Sequence, residues 1–207
     1  MQIEPEWLLQ QIDALAVISE EPAPVVTRIL FSEADLRARQ HVKQLCRDLR
    51  LTVREDAVGN IFARWLGSNP ELPAIATGSH IDAIPNAGRY DGVVGVIGAL
   101  AAIRALRAAD FKPLRPIELI VFTSEEPTRF GIGCLGSRLM SGALKPEDAL
   151  ALTDVDGNSL RRWLEKIYGV EPELSSVAKP KGVYAGFIEL HIEQGPLLDR
   201  EIGRAHV

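Results

Sequence analysis

Three apolar runs in the chain end in residues able to bind a cation or move a proton. Ala74–Thr77 leads to Gly-Ser-His80, Pro116–Phe122 to Thr-Ser-Glu125-Glu126, and Phe187–Leu190 to His191. After His80, a loop holding Pro85 and Gly88, with Gly92 just beyond, is suited to turn Asp91 back toward the histidine. Imidazole and carboxylate together suit Zn²⁺ or Mn²⁺, and a carboxylate has two oxygens with which to bridge a pair of ions. Asp82 is placed to hydrogen-bond to His80 and orient it. A surface turn that happens to contain His and Asp would give the same string. Adjacent Glu125 and Glu126 in a semi-buried crevice are costly unless cations neutralise them. Their side chains diverge, so one can hold a metal while the other takes the proton of a metal-bound water and later hands it to a leaving amine. A solvated acid pair is the plainer alternative. His191 has apolar neighbours and would otherwise be a satisfied core histidine. Gln194 offers a donor and an acceptor that could match a ureido group, or is simply a loop amide. Taken together, the strand-terminal His, Asp, Glu-Glu and His describe a ligand set for two divalent ions with a base beside it. That is a metallohydrolase pattern. His41, on a polar helix face, and His206, in the tail, are left unassigned.

These residues need a scaffold that brings strand ends together. Pro5–Ile18, Ser32–Leu49, Asp91–Ala109, Leu135–Ser141 and Ser159–Ile167 read as helices, Ser32 with Asp35 forming a cap. Leu51–Glu55, Asn60–Trp65, Ala74–Thr77, Pro116–Phe122 and Gly186–His191 read as strands, the first two joined in a hairpin through Glu55–Asn60. The alternation predicts an α/β fold, a mixed sheet flanked by helices on both faces, with ligands collected at the carboxyl ends of its strands.

Composition narrows the function classes. At 207 residues, 46% hydrophobic and 25% charged, the chain has the make-up of a globular domain and not of a disordered or membrane-spanning one. A net charge of −5 with acids and bases interspersed leaves no basic stripe for a phosphate backbone. No nucleic-acid or membrane partner is therefore expected. The opening MQIEPEWLLQQID lacks the basic and apolar regions of a secretory signal. Cys46 and Cys134 have no metal or redox spacing and read as reduced thiols, which points to the cytoplasm.

The strings GSHIDAIPNAGRYDGVVGVIGAL, FTSEEPTRFGIGCLGSRLMSG and ELHIEQGPLL resemble those of the allantoate/ureidoglycolate amidohydrolases and N-carbamoyl-L-amino-acid hydrolases. These enzymes belong to the dinuclear metallopeptidase/aminoacylase group. HIDAIP, GRYDGVVGV and SEEPTRFGI look most like the ureide-degrading members. The resemblance implies a dinuclear zinc-peptidase-like catalytic domain with an inserted lid and dimerisation domain, two Zn²⁺ or Mn²⁺ ions, and a homodimer. It also implies roles. His80 and His191 would hold one metal, Glu126 the other, and Asp91 would bridge them. Glu125 would be the general base, Asp82 the aspartate that supports the first ligand, and Gln194 a contact to the substrate carbamoyl or ureido group.

In that family the chain continues past HIEQGP through the lid, and a last His completes the second metal site. Residues 1–200 are thus expected to be the N-terminal part of the catalytic domain, without the lid and inactive alone. Glu201–Val207 back-translates to GAGATCGGAAGAGCACACGTC, which contains a common sequencing adapter, and is expected to be a non-native tail. The expected reaction is hydrolysis of a ureido or carbamoyl C–N bond with release of ammonia, allantoate or ureidoglycolate being preferred. An N-carbamoyl-amino-acid hydrolase or dipeptidase is the alternative enzyme, and a non-catalytic metal-binding module the alternative outside enzymes.

Overall fold

The computed structural model describes residues 2–195, so the expectation for Glu201–Val207 lies outside the described residues. In chain order the elements are α1 (Pro5–Ala16), β1 (Val26–Arg28), α2 (Glu33–Asp48), β2 (Thr52–Glu55), β3 (Ile61–Trp65), β4 (Ala74–His80), β5 (Ala83–Ala87), α3 (Val93–Ala108), β6 (Ile117–Phe122), α4 (Leu135–Ser141), α5 (Pro146–Leu150), α6 (Leu160–Tyr168) and β7 (Tyr184–Ile188). Five strands form one sheet in the order β2-β3-β6-β4-β7, and β1 pairs with β5 in a separate ribbon. The pairs β2/β3 and β3/β6 are antiparallel, whereas β6/β4 and β4/β7 are parallel, so the sheet is mixed as expected.

Local chemistry accounts for most of the boundaries. Pro5 opens α1, where a missing N–H costs nothing. Ser32 Oγ accepts from the Asp35 amide at 3.2 Å, and Asp35 Oδ2 accepts from the Phe31 amide at 2.8 Å, closing the first turn of α2 from both sides. The β2–β3 turn is tied by Asp56 Oδ1, which accepts from the amides of Val58 and Asn60. β6 lies between β3 and β4, and its Leu119, Ile120 and Val121 are fully buried, which is why it reads as a continuous apolar run.

The helices are unevenly shared between the two faces. One face packs Leu119 and Val121 of β6 against Ile97, Leu100 and Ile103 of α3, with Ile12 of α1 and Val42 of α2 in the same core. On the other face Phe62, Ala76 and Ile120 are buried, and Met140 of α4 and Tyr184 pack against them. There Glu118 is also buried, accepting from Tyr184 Oη at 2.7 Å with Arg54 and Arg64 each 3.6 Å away. A separate core joins Leu135 and Leu139 of α4 to Leu160 and Leu164 of α6 and to Leu30 and Phe31. No described helix is long and apolar enough to cross a membrane.

Two expectations need correction. The stretch after His80 is not a plain loop, because Ala83–Ala87 pairs antiparallel with Val26–Arg28. Pro85 hid that strand, yet a two-stranded ribbon is an edge, where proline is tolerated. The last strand is Tyr184–Ile188 and not Gly186–His191, so His191 follows the strand and is not part of it.

Asp35 yields a prediction about stability. Burial pushes its carboxyl up from 3.8 to about 6, against the opposing charge of Arg39. The folded state therefore keeps this proton up to about pH 6, while the unfolded chain gives it up near pH 4. Sign follows directly: the contribution is fully present below pH 4 and is lost as pH rises through 6. Denaturant unfolding of wild type and Asp35→Asn at pH 4 and pH 7 should show the wild-type advantage shrinking by on the order of 2 kcal/mol over that interval. A difference independent of pH would show that burial leaves the Asp35 carboxyl at its unfolded-state value.

Candidate metal centre

Parallel register assembles the site. His80 of β4 stands beside Phe122 of β6, and Thr77 of β4 beside Ile188 of β7. Continuing each chain past those partners brings Glu125 after β6 and His191 after β7 to the level of His80, at the carboxyl edge of three adjacent strands. Asp91 arrives from a different direction, directly ahead of α3. Gly92, at φ +62°, makes the close approach possible, because a Cβ there would lie 2.5–2.6 Å from the His80 ring.

His80 Nε2 is 3.8 Å from Asp91 Oδ1 and 3.6 Å from Glu125 Oε2. His191 Nε2 approaches the same Asp91 Oδ1 at 3.4 Å, and the two imidazole rings lie 6.0 Å apart at 27°. Each histidine has its other nitrogen against a backbone carbonyl, Nδ1 of His80 at 3.0 Å from Asp82 O and Nδ1 of His191 at 2.7 Å from Ile192 O. With Nδ1–H as the donor in each bond, both Nε2 atoms are the free ligand atoms and both face the acids. One ligand atom from each of His80, Asp91 and His191 lies within 4.8 Å of the other two, and the same is true of His80, Glu125 and Glu126.

Three observations show that these residues fit a cation. Asp91 Oδ1 is buried between the two imidazoles with no hydrogen-bond partner among the described residues. Burial alone would lower the pKa of His80, but the hydrogen bond and charge of Asp82, with the charge of Glu125, raise it to about 9. Burial, a hydrogen bond to Asp91 and the Asp91 charge push Glu126 up to about 7. Protons thus collect on groups that would bind a divalent ion, because the cluster holds more negative charge than its own cations balance.

All seven residues singled out in the sequence come together here. Asp82 orients His80 as expected, through its backbone carbonyl, 3.0 Å from His80 Nδ1. Its Oδ1 is 3.6 Å from His80 Nδ1, and the carboxylate accepts the amides of Glu125 at 3.2 Å and Glu126 at 2.9 Å. Gln194 is directed at Asp91, its Nε2 donating to Oδ2.

Other contributors went unread. Cys134 donates its thiol to Glu125 Oε1 at 3.3 Å and its amide to Glu125 O at 2.7 Å. Next along the chain, Leu135 and Gly136 donate to the carbonyls of Ser124 and Thr123, so the start of α4 clamps the turn carrying both glutamates. Asn60 Oδ1 accepts the Thr123 amide at 2.9 Å from the β2–β3 side. The signal for Cys134 was its place within the same motif as Glu125. Asn60 gave none, since it reads as a turn residue. In front of Glu125 and His191 lies a cavity of about 540 Å³, bordered by Ser79, Phe122, Cys134 and Phe187, a size suited to a small ligand.

Known proteins share the sequence and fold of this chain. The chain is 52% identical to ureidoglycolate hydrolase of Arabidopsis thaliana, the match covering 97% of this chain and 43% of that protein. It is likewise 52% identical to ureidoglycolate hydrolase of Oryza sativa subsp. japonica, covering 96% and 42%. The crystal structure of AtUAH in complex with glyoxylate superposes with a TM-score of 0.92 at 51% identity, covering 97% of this chain and 49% of that one. The chain therefore spans somewhat under half the length of these relatives. Residues 76–206, which include every residue of the centre, match the peptidase family M20/M25/M40, and the chain belongs to that family.

Proposed function

We propose that the native protein carrying this sequence is a metal-dependent amidohydrolase that breaks a ureido C–N bond and releases ammonia. The observation that carries the reading is the Asp91 carboxylate oxygen left without a hydrogen bond between two imidazole Nε2 atoms, with a second carboxylate pair alongside. His80 and His191 would hold one divalent cation, Zn²⁺ or Mn²⁺, Glu126 would hold a second, and Asp91 would be shared. When bound, such ions supply positive charge that lowers the pKa of water and polarises a carbonyl. Glu125 is then the proton carrier. It accepts the proton of the attacking water and returns it to the departing nitrogen, as the new C–O bond forms and the C–N bond breaks. Cys134 supports this role by holding both the side chain and the carbonyl of Glu125. Gln194, beside Asp91, offers the substrate a donor and an acceptor once its amide is free.

Ureidoglycolate is the favoured substrate, because the plant ureidoglycolate hydrolases match about half of all positions, and allantoate follows from the motif resemblance. The same resemblance supports a homodimer, and the unpaired Cys46 and Cys134 support a cytoplasmic location. Ammonia release should be measured with the native polypeptide loaded separately with Mn²⁺ and Zn²⁺, on ureidoglycolate, allantoate and an N-carbamoyl-L-amino acid. Turnover should need the metal, stop on chelation and be fastest with a ureide. The highest kcat/KM on the N-carbamoyl amino acid would transfer the protein to the carbamoylases, and no metal-dependent turnover on any of the three would end the hydrolase reading.

Substitutions in the adjacent glutamates should separate their roles. Glu125→Gln keeps size and polarity but removes the proton acceptor, so metal content should persist while kcat falls by roughly 10²–10⁴. Glu126→Gln weakens a ligand, so metal content should fall and excess Mn²⁺ or Zn²⁺ should restore part of the activity. Metal analysis showing ion loss in the Glu125 variant alone would exchange the two assignments.

A further inference from the structure

Arg28 is a fully buried guanidinium with an unusual set of partners. Nε donates to the Ile18 carbonyl at 3.0 Å, and Nη2 to the carbonyls of Leu15 at 2.6 Å and Ile18 at 2.8 Å. Those acceptors lie at or just past the C-terminus of α1, where a cation is favourable. The remaining arm points elsewhere: Nη1 donates at 2.5 Å to the carbonyl of Ile81, the residue between His80 and Asp82. Among the described residues Arg28 forms no ion pair, although the charges of Asp35 and Asp82 both reach it. A cap for α1 alone would not need this fourth bond, nor a charge taken fully out of water.

We propose that Arg28 is a positioning residue of the metal centre, clamping the His80–Ile81–Asp82 backbone against the end of α1. The segment it holds does two jobs. The Asp82 carbonyl receives His80 Nδ1 and so sets which way Nε2 points, while the Asp82 carboxylate accepts the amides of Glu125 and Glu126. β1 delivers the clamp by pairing Arg28 with Ala83, the residue directly after Asp82. A planar fork with several fixed donors can serve carbonyls from two elements at once, which a lysine ammonium on a flexible stem cannot. The inference rests on His80 being a cation ligand and deepens the proposed function.

The test uses Zn²⁺ alone as probe, on the native polypeptide. Arg28→Lys retains the charge but loses the fork. The folded variant should bind Zn²⁺ about 10–100-fold more weakly, with kcat reduced by a similar factor and KM little changed, as for supports one step behind a ligand. A variant that melts earlier but, while folded, binds Zn²⁺ and turns over like wild type would reduce Arg28 to a helix cap and overturn the proposal. A measurement on wild type covers a variant that fails to fold. Coupling is reciprocal, so Zn²⁺ should shift the Arg28 Nε–H nuclear magnetic resonance signal while leaving that of Arg39, a second buried guanidinium, in place. An unmoved Arg28 signal on Zn²⁺ binding overturns the clamp. Wild type that binds no Zn²⁺ overturns the metal reading beneath it.

Discussion

Two backbone amides, those of Glu125 and Glu126, donate to the two oxygens of the Asp82 carboxylate, and through that pair of bonds the end of β4 fixes the turn that follows β6. Hydrogen bonds to a charged acceptor are each worth about 1.5–3 kcal/mol. That is enough to hold a turn whose own side chains repel one another and the Asp91 carboxylate. Without it, the two glutamates would have no reason to stay at the level of His80. The same turn is gripped from outside by the first amides of α4 and by Asn60, so three separate elements agree on its position. On a turn fixed in this way both glutamates keep a carboxylate oxygen within 4.8 Å of each other and of a His80 nitrogen, so both reach the same cation-binding space.

The electrostatic economy of the centre follows from that constraint. Bringing Asp91, Glu125 and Glu126 around one imidazole leaves a surplus of negative charge, met partly by protons held on His80 up to about pH 9 and on Glu126 up to about pH 7. A divalent cation satisfies the same demand with more charge and fixed direction. The crevice sits at the carboxyl ends of parallel strands, where α/β sheets place their ligands because the helices that follow leave the edge open. Here the geometry is not incidental to the fold. Parallel pairing of β6, β4 and β7 sets His80, Glu125 and His191 side by side.

Much of this could be read from the sequence. The positions of His80, Glu125, Glu126 and His191 were legible because each lies at or just past the end of an apolar run, and apolar runs become strands whose ends meet. The Ser32 cap and the Glu55–Asn60 turn were legible because their side-chain bonds are local. What could not be read depended on contacts between distant residues. Arg28 lies far in sequence from Ile81, and nothing in Val26–Arg28 announces a strand that buries a guanidinium. Pro85 looked like a loop signal because the ribbon it joins was invisible. Asp82 was read beside His80, whose Nδ1 its carbonyl meets, but its carboxylate has further partners that were not read. Spacing shows that it is near His80, whereas its bonds to Glu125 and Glu126 depend on how β4 and β6 pair.

The central claim is that His80, Asp91 and His191 form one cation site with Glu125 beside it as base and Glu126 as ligand. The most direct test is a crystal structure of the native polypeptide grown with Zn²⁺, with the ions located by anomalous scattering. The account predicts a peak bound by Nε2 of both histidines at about 2.0–2.1 Å and by an Asp91 oxygen, with Glu126 on a second ion and the Glu125 carboxylate bound to neither. Zinc absent from the space between His80 and His191, or ligated by Glu125 while Glu126 turns away, would contradict it.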